Sequence, residues 1–120
     1  MPHFMLATRE DHIVPWQSSY LGRKHLGGKS TFVLGASGHI AGVINPAAKN
    51  KRSHWINENG TASPEEWLAS ATEAPGSWWP RWSDWLKQFA AGEVPARGRL
   101  GSKKYPPGEP APGRYVKEKA

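Results

Sequence analysis

The chain contains no cysteine. That absence excludes a disulfide, a zinc site built on thiolates and a cysteine nucleophile supplied from within these 120 residues. No apolar run approaches the roughly 18 residues that a bilayer-spanning helix requires. The amino terminus shows no basic stretch followed by a long apolar one, so no secretory signal is read there. The five histidines include no His-x-x-x-His pair, and no metal site is expected. Acidic residues are scarce, 10 against 16 Lys and Arg, which leaves a net charge of +6. A basic chain attracts polyanions such as nucleic acid, anionic lipid or phosphate-bearing cofactors, and charge alone does not choose among them. The hydrophobic share is 38% over 120 residues, so one small domain at most is expected, without a large independent core.

Two apolar runs are present, Phe4-Met5-Leu6-Ala7 and Thr31-Phe32-Val33-Leu34-Gly35. Both read as strands, the first over residues 3 to 8. Between them, the stretch from about Pro15 to Leu26 reads as one helix. Pro15 suits its first turn, and Trp16, Tyr20 and Leu21 would face the sheet. Arg23, Lys24 and His25 favour its C-terminal end, and Gly27-Gly28 ends it. Strand, helix, strand implies a right-handed crossover with the two strands parallel. In open α/β sheets, ligands and chemistry lie just past the C-terminal ends of such strands.

Asp11 lies one loop past the first strand, in Arg9-Glu10-Asp11-His12, and His39 lies one small-residue turn past the second. Parallel neighbours run about 4.8 Å apart, so the two side chains can meet. The apolar Ile13-Val14-Pro15-Trp16 should turn the loop back toward the core. A carboxylate so flanked needs a partner, because a buried unpaired charge is costly. Asp followed by His is the order of the second and third members of an α/β-hydrolase triad. Taken singly, the cluster around Asp11 also fits a solvated turn and His39 a structural histidine. Their common sheet edge favours an acid–imidazole pair. His12 receives no role, and His25 reads as a capping or surface histidine.

Ile40 to Ile44 should pack beneath this site. From Asn45-Pro46 a long irregular stretch follows, with Lys49, Lys51 and Arg52 as either a solvated basic loop or a contact for phosphates. Asn57 to Thr61 reads as a turn. Ser63-Pro64-Glu65-Glu66 opens a helix with a capping box, which should run to about Ala71 before Pro75-Gly76. A further helix is expected from Ser77, with Trp78, Trp82, Trp85 and Phe89 on one stripe, widened by Trp79 and Leu86. That stripe reads as packing on the rest of a larger domain, its rival being a base-stacking or polymer-binding platform. From Gly92 onward Pro, Gly, Lys and Arg dominate without periodicity, as in an extended tail. The expected division is residues 1–91, the C-terminal portion of a catalytic domain that began before Met1, and residues 92–120, the tail.

These residues carry a resemblance. Ala7-Thr8-Arg9-Glu10-Asp11-His12-Ile13-Val14-Pro15-Trp16 resembles the Asp motif of class I poly(3-hydroxyalkanoate) synthases. The run from Val33 to Pro46, with Gly35-Ala36-Ser37-Gly38-His39 inside it, resembles that family's catalytic-His motif. Lys49-Asn50-Lys51-Arg52, Gly76-Ser77-Trp78-Trp79-Pro80 and the run from Pro110 to Lys117 resemble its C-terminal segments, and the proline-rich tail would be the family's natural end.

The resemblance implies a fragment of an α/β-hydrolase fold: strand, helix and strand with parallel strands, then two helices and an extended tail. It implies polymerisation of 3-hydroxyacyl-coenzyme A, foremost 3-hydroxybutyryl-coenzyme A, into polyester with release of coenzyme A. The work would be done in the cytoplasm, at the surface of the polyester granule. Of the family's Cys-Asp-His triad, Asp11 and His39 would be present and the Cys would lie upstream, in the remainder of the catalytic domain. No cofactor is implied, since the acyl thioester is the substrate. The partners would be that thioester, the growing polyester and the domain carrying the Cys; a homodimer stays open and nucleic acid is not expected. Two other readings also stay open: a related thioesterase or polyester depolymerase, and a non-catalytic, basic, Trp-rich binding module.

Overall fold

Side chains in the first strand alternate between two apolar faces, and helices cover both. The computed structural model describes residues 1–60 and 63–119, so Thr61, the end of the expected turn, and Ala120 lie outside the described residues. β1 (His3–Thr8) and β2 (Ser30–Gly35) pair in parallel, with His3 opposite Ser30 and Thr8 opposite Gly35. Two further strands extend the sheet, where irregular chain and a helix break were expected. β3 (Ser53–Ile56) runs antiparallel to β2, and β4 (Thr72–Pro75) antiparallel to β3, in the order β1-β2-β3-β4. Each is only four residues long, too short to show a period of two. Pro75 is tolerated because it closes an edge strand, where its missing N–H breaks no ladder.

α1 (Trp16–Gly22) stops short of the expected Leu26, and Arg23–His25 continues it as a tighter 3-10 turn. Trp16 and Tyr20 are buried, but Leu21 is exposed. It follows Tyr20 directly, about 100° around the helix, and so leaves the sheet-facing stripe. α2 (Pro64–Ala69) begins as expected: the Ser63 hydroxyl accepts the Glu66 N–H at 3.2 Å. Tyr20, Phe32 and Trp67 pack ring against ring over one face of the sheet, with Tyr20–Phe32 and Phe32–Trp67 edge-on at 5.1 and 5.0 Å. Met5, Ala7, Trp16 and Leu34 complete that core.

α3 (Trp79–Lys87) covers the other face, where Phe4 meets Trp78 at 6.2 Å and Trp85 at 5.7 Å. Its aromatic stripe is covered at Trp78 and open at Trp82 and Phe89. No helix among the described residues is long and apolar enough to cross a membrane.

The chain divides into two compact units, Met1–Ala90 and Ala91–Ala120. The second contains a 3-10 turn, Tyr115–Lys117, and is held locally, the Glu109 carboxylate accepting from the backbone N–H and Nε of Arg114 at 3.2 and 3.3 Å.

Trp67→Ala should cost about 3–5 kcal/mol in urea unfolding, because it empties the middle of the aromatic core. Ile40→Ala should stay within about 0.5 kcal/mol, because Ile40 faces solvent.

Candidate active site

The register of β1 and β2 ends both strands level, and backbone bonds carry the alignment onward. Arg9 N–H donates to the Gly35 carbonyl at 2.8 Å and Glu10 N–H to that of Ser37 at 3.1 Å. The two loops therefore leave the sheet side by side.

Asp11 then folds its carboxylate back on its own chain. Oδ1 accepts the N–H groups of Ile13 and Val14, both at 2.9 Å, the bonding of an Asx turn. Oδ2 lies 2.8 Å from His39 Nδ1 and 3.5 Å from the Thr8 hydroxyl, which donates to it. The Asp11 side chain is 8% exposed and that of His39 46%. The Val14 N–H, then His39 and the Ile13 N–H, hold the Asp11 carboxyl down to about 2 against the opposing effect of burial. An ionised carboxylate only accepts, so Nδ1 carries the hydrogen and Nε2 is the basic nitrogen of the neutral ring.

The expectation that the loop after Asp11 returns at once to the core needs correction. Ile13 and Val14 are exposed, and Trp16 is the first side chain to go inside. Their backbone N–H groups serve Asp11 while their side chains stay exposed.

His39 rides on a turn that begins with Ser37 at φ +76°, a left-handed conformation that few side chains adopt. Gly42 N–H then donates to the Gly38 carbonyl at 2.9 Å and Ile44 N–H to that of Ile40 at 2.8 Å. Ile40 and Ile44 do not pack beneath the site: they are 72% and 62% exposed. Gly42 takes the inner position, where a Cβ would strike the Thr8 methyl and the Ala36 carbonyl. The apolar run misled because the smallest residue, not the largest, fits against Thr8.

Beside the pair lies a cavity of about 340 Å³ lined by Leu6, Ala7, Thr8, Asp11, Val14, Ser19, His39 and Val43. Its walls are mainly apolar. Thr8 received no site role from the sequence and could have been found by its place at the end of β1, while Val43 is the member of the Ile40–Ile44 run that does line the cavity. Lys49, Lys51 and Arg52 are exposed and do not line the cavity, nor does His12. The arrangement can take a proton at Nε2, hold the resulting charge against Asp11 and return it, which is the chemistry of a general base.

No family model matches the chain. It is 55% identical over 120 residues to the poly(3-hydroxyalkanoate) polymerase subunit PhaC of Cupriavidus necator, covering 100% of this chain and 20% of that protein. It is 46% identical over 123 residues to the subunit of the same name from Rhizobium meliloti, covering 100% of this chain and 19% of that one. It is 48% identical over 122 residues to the poly(3-hydroxyalkanoate) polymerase of Methylorubrum extorquens, again 100% of this chain and 20% of the relative. The chain thus spans about a fifth of the length of these relatives, in their C-terminal region.

With its carboxyl lowered to about 2, Asp11 binds fewer protons in the native state than in the unfolded one, where such a group titrates near 3.9. Its contribution to stability is therefore full above about pH 4 and is lost as pH falls toward 2. Urea midpoints of the native chain and of Asp11→Asn should differ most near pH 6 and converge below pH 4. A constant difference across that range would contradict the assignment.

Proposed function

We propose, on the premise that this chain matches the C-terminal region of poly(3-hydroxyalkanoate) polymerases over its whole length, that it supplies the Asp–His half of an acyl-transfer site building polyester from 3-hydroxyacyl-coenzyme A. The observation that carries this reading is the 2.8 Å contact of Asp11 with His39 past the level ends of two parallel strands. Strand, acid, helix, strand, imidazole is also the order in the last part of an α/β-hydrolase domain, and the reading assigns residues 1–91 to such a domain. The basic segment 92–120 is its tail, and the site of action is the cytoplasmic surface of a polyester granule.

In this reading Asp11 fixes the tautomer and steadies the charged imidazole. His39 Nε2 takes the proton from a cysteine thiol that lies elsewhere in the whole polymerase. The thiolate attacks the acyl carbonyl of the thioester, and the coenzyme A sulfur leaves with the proton that His39 returns. His39 next takes the proton from a 3-hydroxyl group. That oxygen attacks the enzyme-bound acyl carbonyl, an ester bond forms, and the cysteine sulfur departs and recovers the proton. The apolar walls made by Leu6, Val14 and Val43 beside His39 suit an acyl chain better than a charged one.

In a full-length polymerase carrying this segment, His39→Ala should lower coenzyme A release by about 10²- to 10⁴-fold, with Asp11→Asn also strongly impaired. Near-normal turnover in either variant would refute the assigned roles. The 120-residue chain by itself has no thiol and should release no coenzyme A from 3-hydroxybutyryl-coenzyme A in a thiol-capture assay. Steady release above the buffer rate would count against a triad completed from outside the chain.

A further inference from the structure

We infer that Trp78 and Trp79 are positioning residues for His39, acting through the turn that carries it. This rests on the acyl-transfer reading for its activity readout and on separate geometry for its argument.

The turn has little apolar grip of its own. From His39 to Asn45, only Gly42 and Asn45 are buried, and the isoleucines face water. Near its end the Val43 carbonyl accepts the Asn45 N–H at 3.0 Å, which leaves a second lone pair on that oxygen for another donor. Two consecutive indoles meet two consecutive carbonyls there: Trp78 Nε1–H donates to Gly42 at 3.1 Å and Trp79 Nε1–H to Val43 at 3.0 Å. The Ser77 hydroxyl donates to the Asn45 carbonyl, and the Ser77 N–H donates to Asn50 Oδ1 at 2.9 Å. Three successive residues thus hold the turn and the loop after it from one side.

The clamp is itself anchored. Gly76 N–H donates to the Arg52 carbonyl at 2.7 Å, and His54 Nδ1–H donates to the Gly76 carbonyl at 3.1 Å, which ties the segment to β3. Gly76 has φ +87°, and a Cβ there would collide with the Asn50 side chain. The Trp78 ring stacks on Phe4 of β1.

His39 stands one turn before the clamped carbonyls. The bonds from Gly42 to Gly38 and from Ile44 to Ile40 make that turn a short rigid lever. The contact with Asp11 cannot hold a half-exposed imidazole unaided, because water competes for it. A shift of about 1 Å in a reacting group can cost about a hundredfold in rate. The indoles therefore act on turnover without touching substrate.

Trp78 also belongs to the core, so Trp79 gives the cleaner test. In a full-length polymerase carrying this segment, Trp79→benzothienylalanine replaces the indole N–H with sulfur and keeps the ring. Trp79→Phe serves as the simpler companion, and His39→Ala runs in parallel. The sulfur variant should lose about ten- to a hundredfold in kcat, with KM within about twofold and an unchanged melting temperature. Unchanged kcat beside an inactive His39→Ala would overturn the positioning role and leave the acyl-transfer reading intact. A fall in kcat matched by a lower melting temperature would also overturn it, by reducing the clamp to a fold contact. An active His39→Ala, or a polymerase inactive with the native segment, would sink the functional reading and this inference with it.

Discussion

Thr8 stands opposite Gly35 in the parallel pair, and the chain stays bonded across the next two residues before either loop turns away. That register brings a carboxylate and an imidazole from distant points of the sequence to one place. A slip of one residue would displace the loops by about 3.3 Å, more than a hydrogen bond tolerates, and would also exchange the two faces of the strand. The register is pinned by packing on both sides. Met5, Ala7, Phe32 and Leu34 belong under α1 and α2, while Phe4 belongs under Trp78 and Trp85. Core packing and site geometry are therefore a single requirement, and a sequence that satisfies the first obtains the second.

Two histidines show how environment divides the work. His39 is half exposed and bonded through Nδ1 to a carboxylate whose ionisation owes more to the Val14 N–H than to the imidazole. Backbone N–H groups hold the anion on one oxygen while the other faces the imidazole, an arrangement already set for a charged ring. His54 is buried in β3, bonded through Nδ1 to a neutral carbonyl, and burial holds its pKa below the usual value. Burial thus favours its neutral form, and it serves as a peg for the turn at Gly76.

Much of this was legible in the sequence, for local reasons. The β1–α1–β2 unit, the Ser63 cap and the placing of Trp16 and Tyr20 follow from apolar runs, glycine and proline punctuation, and helical spacing. The approach of Asp11 to His39 follows from the unit once the strands are parallel. β3 and β4 escaped because each is four residues long and gains its order from a partner elsewhere in the chain. The run from Ile40 to Ile44 misled because hydrophobicity says nothing about volume, and the space beside Thr8 admits only a glycine. The tryptophan stripe was visible as a stripe, but periodicity reports the ring and not its N–H. The polar ends of Trp78 and Trp79 bond to carbonyls 36 residues back, which no local pattern signals.

The surfaces left open by this chain are not the surfaces that shape its site. One edge of β1 has no neighbour among the described strands, and a groove of about 770 Å³ between α3 and the sheet is lined by Phe4, Val33, Ile56, Trp85 and Phe89. Exposed edges and apolar grooves of this kind call for a covering partner. Yet the hydrogen-bond partners named for Asp11 and for the turn of His39 all come from residues 8–79 of the same chain. The carboxylate, the imidazole and the indole N–H groups that meet the turn are thus brought together within this chain. On the acyl-transfer reading, what the remainder of a polymerase adds to this half of the site is a nucleophile and a cover for the groove, since the orientation of the imidazole is already determined.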